Sequence, residues 1–117
     1  GVPLVYTAAS RSLAMLEMLV QDEPLRARYL VIEARIPRGI VISRIKVDDL
    51  PSGWRDLAAR ERPQAIGAEW AGKRSTAVLA VPSAVLPAET NYLLNPLHPE
   101  FGRIRIGKPQ KLETSEK

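Results

Sequence analysis

Apolar and polar positions in this chain of 117 residues follow two periods, and the places where one gives way to the other set the expected elements. Val5-Tyr6-Thr7-Ala8, within Gly1 to Ala8, reads as a short strand leading into a helix that Ser10 is suited to cap. Leu13, Leu16 and Val20 then fall at helical spacing, so the face they define is expected to pack inward. Glu17 lies one turn from both Leu13 and Val20, at the edge of that face. Pro24 cannot continue a helix, which puts the end near Gln21-Asp22-Glu23. Tyr29 to Ile36 and Ile40 to Val47 are β-rich, and Pro37-Arg38-Gly39 between them suggests a hairpin or near-neighbour strands.

Asp48 to Gly53 has turn composition, and Trp54 to Arg62 reads as a short helical or irregular segment. Pro63 opens a helix over Gln64 to Lys73, with Ile66 and Trp70 four apart on one face. Ser75 to Val81 is the most apolar strand candidate and is expected to be central, ending at Pro82-Ser83. Arg103 to Ile106 alternates and makes a last strand. Residues 108–117 are polar and read as a frayed tail after a domain spanning 1–107. Short strands mixed with a few helices imply a compact α+β single domain built on mixed small sheets.

Composition changes this picture mainly by exclusion. Hydrophobic content of 45% and charged content of 26% suit a soluble globular domain. The chain has no cysteine, which removes disulfides and thiolate metal sites and agrees with a reducing, cytoplasmic setting. With one histidine, His98, and no Asp/Glu cluster, no metal site is expected. The longest apolar run is far too short to cross a bilayer, and no secretion signal opens the chain. Net charge is +4, which by itself suggests a basic nucleic-acid-binding domain. The arginines are scattered, however, without the aromatic interleaving of a nucleic-acid stripe, so no direct nucleic-acid contact is expected.

No glycine-rich phosphate loop of either common kind is present. Ser83, His98 and Asp48 could be named as a triad, but no nucleophile elbow surrounds Ser83. His98, Asn95-Pro96 and His98-Pro99 are turn formers first, and Trp54 and Trp70 are core candidates. Glu17 stands out, because an ionised carboxylate beside an apolar face is costly unless a cation or several donors meet it. Ser83 is second, since it puts a hydroxyl at the end of the central strand.

Taken in order, several segments resemble the RES domain family. They are Tyr6-Thr7-Ala8 with Ala14-Met15-Leu16-Glu17, Gly53-Trp54, Ile66-Gly67-Ala68-Glu69-Trp70, Val81-Pro82-Ser83 and Asn91-Tyr92-Leu93-Leu94-Asn95-Pro96-Leu97-His98-Pro99. The resemblance spans roughly Gly1 to Ile106. It implies a fold similar to ADP-ribosyltransferases and a bacterial toxin of a toxin–antitoxin pair. Such a toxin takes NAD as substrate, cleaving it by hydrolysis or phosphorolysis or moving ADP-ribose to a protein. The implied partner is a cognate antitoxin with an Xre-like helix-turn-helix domain, and a homodimer within that complex is compatible with the chain. The family's Glu and Ser match Glu17 and Ser83, expected as catalytic. Tyr6 matches a tyrosine of the NAD pocket, and Asn95, in a matching motif, is expected to face NAD as well.

The family's Arg belongs to a Gly-Arg-Trp-Asn segment ahead of the tyrosine, and none of the arginines here, Arg11 included, has that context. The chain is therefore expected to lack that segment and to have weakened activity. A remnant serving as an antitoxin-binding module is the alternative. In the expected chemistry Glu17 stabilises an oxocarbenium-like transition state, Tyr6 orients the nicotinamide ribose, and Ser83 bonds a ribose hydroxyl or phosphate.

Overall fold

A computed structural model describes residues 3–21, 30–50, 52–55, 61–73 and 75–111 of the chain. Its centre is a four-stranded sheet in the order β1-β6-β5-β4, formed by β1 (Val5–Ala8), β6 (Thr90–Leu94), β5 (Val78–Pro82) and β4 (Ile42–Arg44). The β1–β6 and β6–β5 pairs are antiparallel and the β5–β4 pair is parallel. The apolar run at Ser75 to Val81 thus lies inside the sheet, with Val78, Leu79 and Ala80 no more than 2% exposed.

Register divides the sheet into two faces. Val78, Leu94 and Ile42 stand level across neighbouring strands, so their side chains share one face. Together with Ile40, Ala77 and Ile104 they form a core that Ile36, Tyr92 and Phe101 flank. On the other face Leu79 stands level with Leu93, and both pack under Trp70 and Ala71 of helix α2 (Glu61–Lys73). The indole Nε1 of Trp70 donates to Thr76 Oγ1 at 2.8 Å, which satisfies its one polar group inside the core.

Helix α1 (Arg11–Gln21) starts as the capping residue predicts, with Ser10 Oγ accepting from Leu13 N at 3.1 Å. Its inward stripe differs from the expected one. Leu13 is 3% exposed, but Leu16 and Val20 are 36% and 53% exposed. The helix is turned so that Glu17, one turn after Leu13, faces the sheet. Hydrogen bonds made by Glu17 take the place of apolar burial at Leu16 and Val20.

The hairpin suggested at Pro37-Arg38-Gly39 does not form. Gly39 takes a positive φ of 95° in a turn, and the segments on either side pair elsewhere. β2 (Leu30–Val31) pairs with β8 (Gln110–Lys111), and β3 (Ala34–Arg35) pairs with β7 (Arg105–Ile106), while β4 joins the central sheet. Gln110–Lys111, which polarity assigns to a tail, is therefore a strand. Two 3-10 turns, Val47–Asp49 and Pro99–Arg103, complete the connections, the second capped by His98 Nδ1 accepting from Glu100 N at 3.0 Å. Helix α2 begins at Glu61, so Pro63 lies in its first turn, where no N–H partner is lost. The readings on residues 1–2, 22–29, 51, 56–60 and 112–117 lie outside the described residues. The described residues form an α+β domain of two helices and several small mixed sheets.

Candidate active site

Strand alternation places Leu79, Val81 and Ser83 on the same side of β5 and its exit, with Asn91 and Leu93 beside them on β6. Ala8 and Tyr6 of β1 stand level with Asn91 and Leu93. One end of this face is apolar and lies under α2. The other end is polar, and α1 covers it with Glu17.

Ser83 Oγ donates to Glu17 Oε2 at 2.9 Å, and Asn91 Nδ2 donates to Glu17 Oε1 at 3.1 Å. Each carboxylate oxygen thus receives one neutral donor, and no ion pair to Glu17 occurs among the described residues. Asn91 Nδ2 also donates to Thr7 O at 3.1 Å, and Asn91 Oδ1 accepts from the Tyr6 hydroxyl at 3.2 Å. The Tyr6 ring is 61% exposed while its hydroxyl reaches inward to Asn91. Burial at that end, and then the Glu17 charge, push the Tyr6 phenol above its ordinary value.

Glu17 and Tyr6 open onto a cleft of about 590 Å³, walled by Arg11, Met15 and Met18 on one side and by Leu30 to Arg35 on the other. Two guanidinium groups, Arg11 and Arg35, line it. Arg11 Nη2 donates to Gln110 Oε1 at 3.3 Å, and Arg35 Nε pairs with Glu33 Oε1 at 2.9 Å in an exposed ion pair. A carboxylate at the floor, an aromatic at the rim and cations on the walls can hold a ligand with a cationic or hydroxyl-rich centre and anionic flanks.

The sequence-derived site residues separate in space. Glu17, Ser83 and Tyr6 belong to one hydrogen-bonded group. Ser83 is 0% exposed, and besides donating to Glu17 its Oγ accepts from Val85 N and Leu86 N, each at 3.2 Å. Its hydroxyl is saturated by protein, so it supports Glu17 rather than reaching into the cleft. Asn95 stands apart, four residues beyond Asn91 and therefore ~13 Å along the strand. Its Nδ2 donates to Ala71 O at 3.3 Å and its Oδ1 accepts from Leu97 N at 3.0 Å. It pins the end of β6 to α2, and it is not among the residues that line the cleft beside Glu17. His98, in turn, is engaged as a cap. Asn91 is the residue that sequence reasoning missed. Its signal was a carboxamide on the same face of a buried strand as Leu93, two residues away, where an apolar residue is expected.

The RES domain family model matches residues 1–115. A protein of Sphingobium sp. (strain YBL2), the Prs ADP-ribosylating toxin, is 40% identical over 117 residues, covering 95% of this chain and 71% of its own length. The Toxin Res of Photorhabdus laumondii is 38% identical over 103 residues, covering 86% of this chain and 65% of its own length. The Toxin Res of Pseudomonas putida is 39% identical over 112 residues, covering 91% and 73% respectively. A match over nearly the whole chain, with relatives well above 30% identity, means that this chain belongs to the RES domain family.

Proposed function

We propose that this chain is the NAD-cleaving domain of a toxin, acting in the cytoplasm and restrained by a cognate antitoxin. The observation that carries the reading is the Glu17 carboxylate, which lines a cleft and is held by two neutral donors, with no ion pair to it among the described residues. Such a group keeps its charge available to a positive centre that arrives with the ligand. Breaking the nicotinamide–ribose bond creates such a centre. Nicotinamide departs as a neutral base with the bonding electron pair, and the ribosyl carbon becomes oxocarbenium-like beside Glu17. A nucleophile then adds to that carbon and loses its proton if it is water. Tyr6 is placed to border the ribose, and Arg11 and Arg35 suit the diphosphate.

The acceptor is what distinguishes hydrolysis, phosphorolysis and transfer to a protein. The relative named as an ADP-ribosylating toxin favours transfer as the second reading. Mass spectrometry of the products separates them: free ADP-ribose, its 1-phosphate, or a protein carrying the added group.

Nicotinamide release from NAD tests the reading directly. Glu17→Gln, which keeps size and removes charge, is expected to lower turnover at least ~100-fold with an unchanged circular dichroism spectrum, because one well-aimed electrostatic contact is worth about that much. A folded variant with wild-type turnover would remove the mechanism. A wild-type chain that releases no nicotinamide yet retains antitoxin would instead favour the binding-module alternative.

A further inference from the structure

Asn91 makes three hydrogen bonds through one amide. Its two N–H groups go to Thr7 O and Glu17 Oε1, and its oxygen takes the Tyr6 hydroxyl proton. Only one orientation of the amide pairs all of these, because Thr7 O and an ionised Glu17 can only accept. Asn91 is 0% exposed, so no solvent competes for either end.

The consequence extends to every donor in the group. The Ser83 hydroxyl proton is spent on Glu17, both Asn91 N–H groups are spent, and the Tyr6 proton is spent on Asn91. What remains toward the cleft is acceptor capacity alone: the free lone pairs of Glu17 and of the Tyr6 oxygen. We propose that Asn91 is a positioning residue that locks the Glu17 carboxylate and the Tyr6 hydroxyl in one joint orientation, so that this part of the cleft, away from Arg11 and Arg35, meets its ligand with acceptors only. A ligand centre bearing hydroxyl donors or positive charge fits beside Glu17 and Tyr6, and an acceptor-bearing centre is refused at that point. The geometry stands independently, while its effect on turnover rests on the proposed action on NAD.

The discriminating variant is Asn91→Asp, which preserves shape and replaces two donors by an acceptor. Its new carboxylate would stand where Asn91 Nδ2 now lies, 3.1 Å from Glu17 Oε1. Two carboxylates at that spacing share one proton, so the pair titrates upward. The groups facing it are Glu17 from α1, Tyr6 from β1 and Ser83 beyond β5, with Arg11 farther along α1 and Glu33 and Arg35 across the cleft. The acid limb of the activity profile should move to higher pH, and kcat should fall about 100-fold with KM little changed, as expected when alignment rather than binding is lost.

A folded variant with the wild-type profile and wild-type kcat overturns the proposal. If the variant does not fold, the wild-type side-chain amide resonances of Asn91 decide. They should shift in both Glu17→Gln and Tyr6→Phe, and indifference to both substitutions overturns the proposal. The same resonances decide it if no form of the protein turns over NAD, in which case the functional reading fails and the positioning role stands or falls by itself.

Discussion

Tyr6 shows at the scale of one residue how the site couples to stability. Its hydroxyl is held in protonated form by burial and then by the nearby Glu17 charge, so the folded state keeps the proton longer than the unfolded chain does. The folded protein therefore binds more protons once pH exceeds the ordinary phenol value of about 10, and stability falls as pH rises through that region. Below it the contribution is fully present. Chemical denaturation followed across alkaline pH should show this decline, and Tyr6→Phe should flatten it. An unchanged slope in Tyr6→Phe would mean that the phenol is not tied to Asn91. Glu17 and Ser83 were legible in sequence because a carboxylate in an apolar run and a hydroxyl at a strand end are both conspicuous. Their division of labour was not, since accessibility is a property of what surrounds a group. Ser83 turned out to be sealed behind Glu17, and Asn91 was hidden by resembling an ordinary strand polar residue.

Among the elements, α2 and β6 meet so closely that glycine is needed between them. A Cβ built on Gly67 would lie 2.9 Å from Leu93 Cδ2 and 3.2 Å from Leu4 Cδ1. Ala ordinarily favours a helix over Gly by about 1 kcal/mol, but overpacking a core costs about 1–3 kcal/mol. Gly67→Ala is therefore expected to destabilise by about 1 kcal/mol, shifting the sheet beneath it. Gly72 lies in the same helix with nothing within 4 Å of its Cβ position. Gly72→Ala should be neutral or stabilising, by at most about 0.5–1 kcal/mol. Opposite signs in urea denaturation would confirm the close approach, and equal signs would refute it. The central placement of Ser75 to Val81 and the cap at Ser10 were readable because composition and local hydrogen bonding specify them. The partners of the strands around Gly39 were not, because a turn sequence allows a reversal without requiring that its two arms pair.

The molecule as a whole sets the cleft between α1 and the β2–β8 and β3–β7 ribbons, which meet α1 through the Arg11–Gln110 hydrogen bond. That contact is exposed, and the nearby Arg35–Glu33 pair is worth less than about 1 kcal/mol. This side of the cleft should open more readily than the central sheet. A ligand filling the cleft would bridge both walls and oppose that opening. Amide exchange measured with and without saturating NAD should show added protection at residues 11–18 and 30–35, and little change at residues 78–80, which are already buried. Protection absent from residues 30–35 would mean that the ligand does not span the cleft.

By itself the sequence determined the class of the fold, its central strand, the helix start and the suspicion attached to Glu17, Ser83 and Tyr6. Tyr6 entered through the family resemblance alone; the rest follow from local rules, since periodicity, capping and the cost of burying charge act over a few residues and can be read along the chain. The tertiary structure alone decided which way α1 turns, that Asn91 joins the hydrogen-bonded group at Glu17 while Asn95 stands apart, and which groups face the cleft. Those outcomes depend on residues far apart in sequence, such as Glu17 with Ser83 and Asn91, where a hydrogen-bonded carboxylate outweighed the burial of two apolar side chains on its own helix.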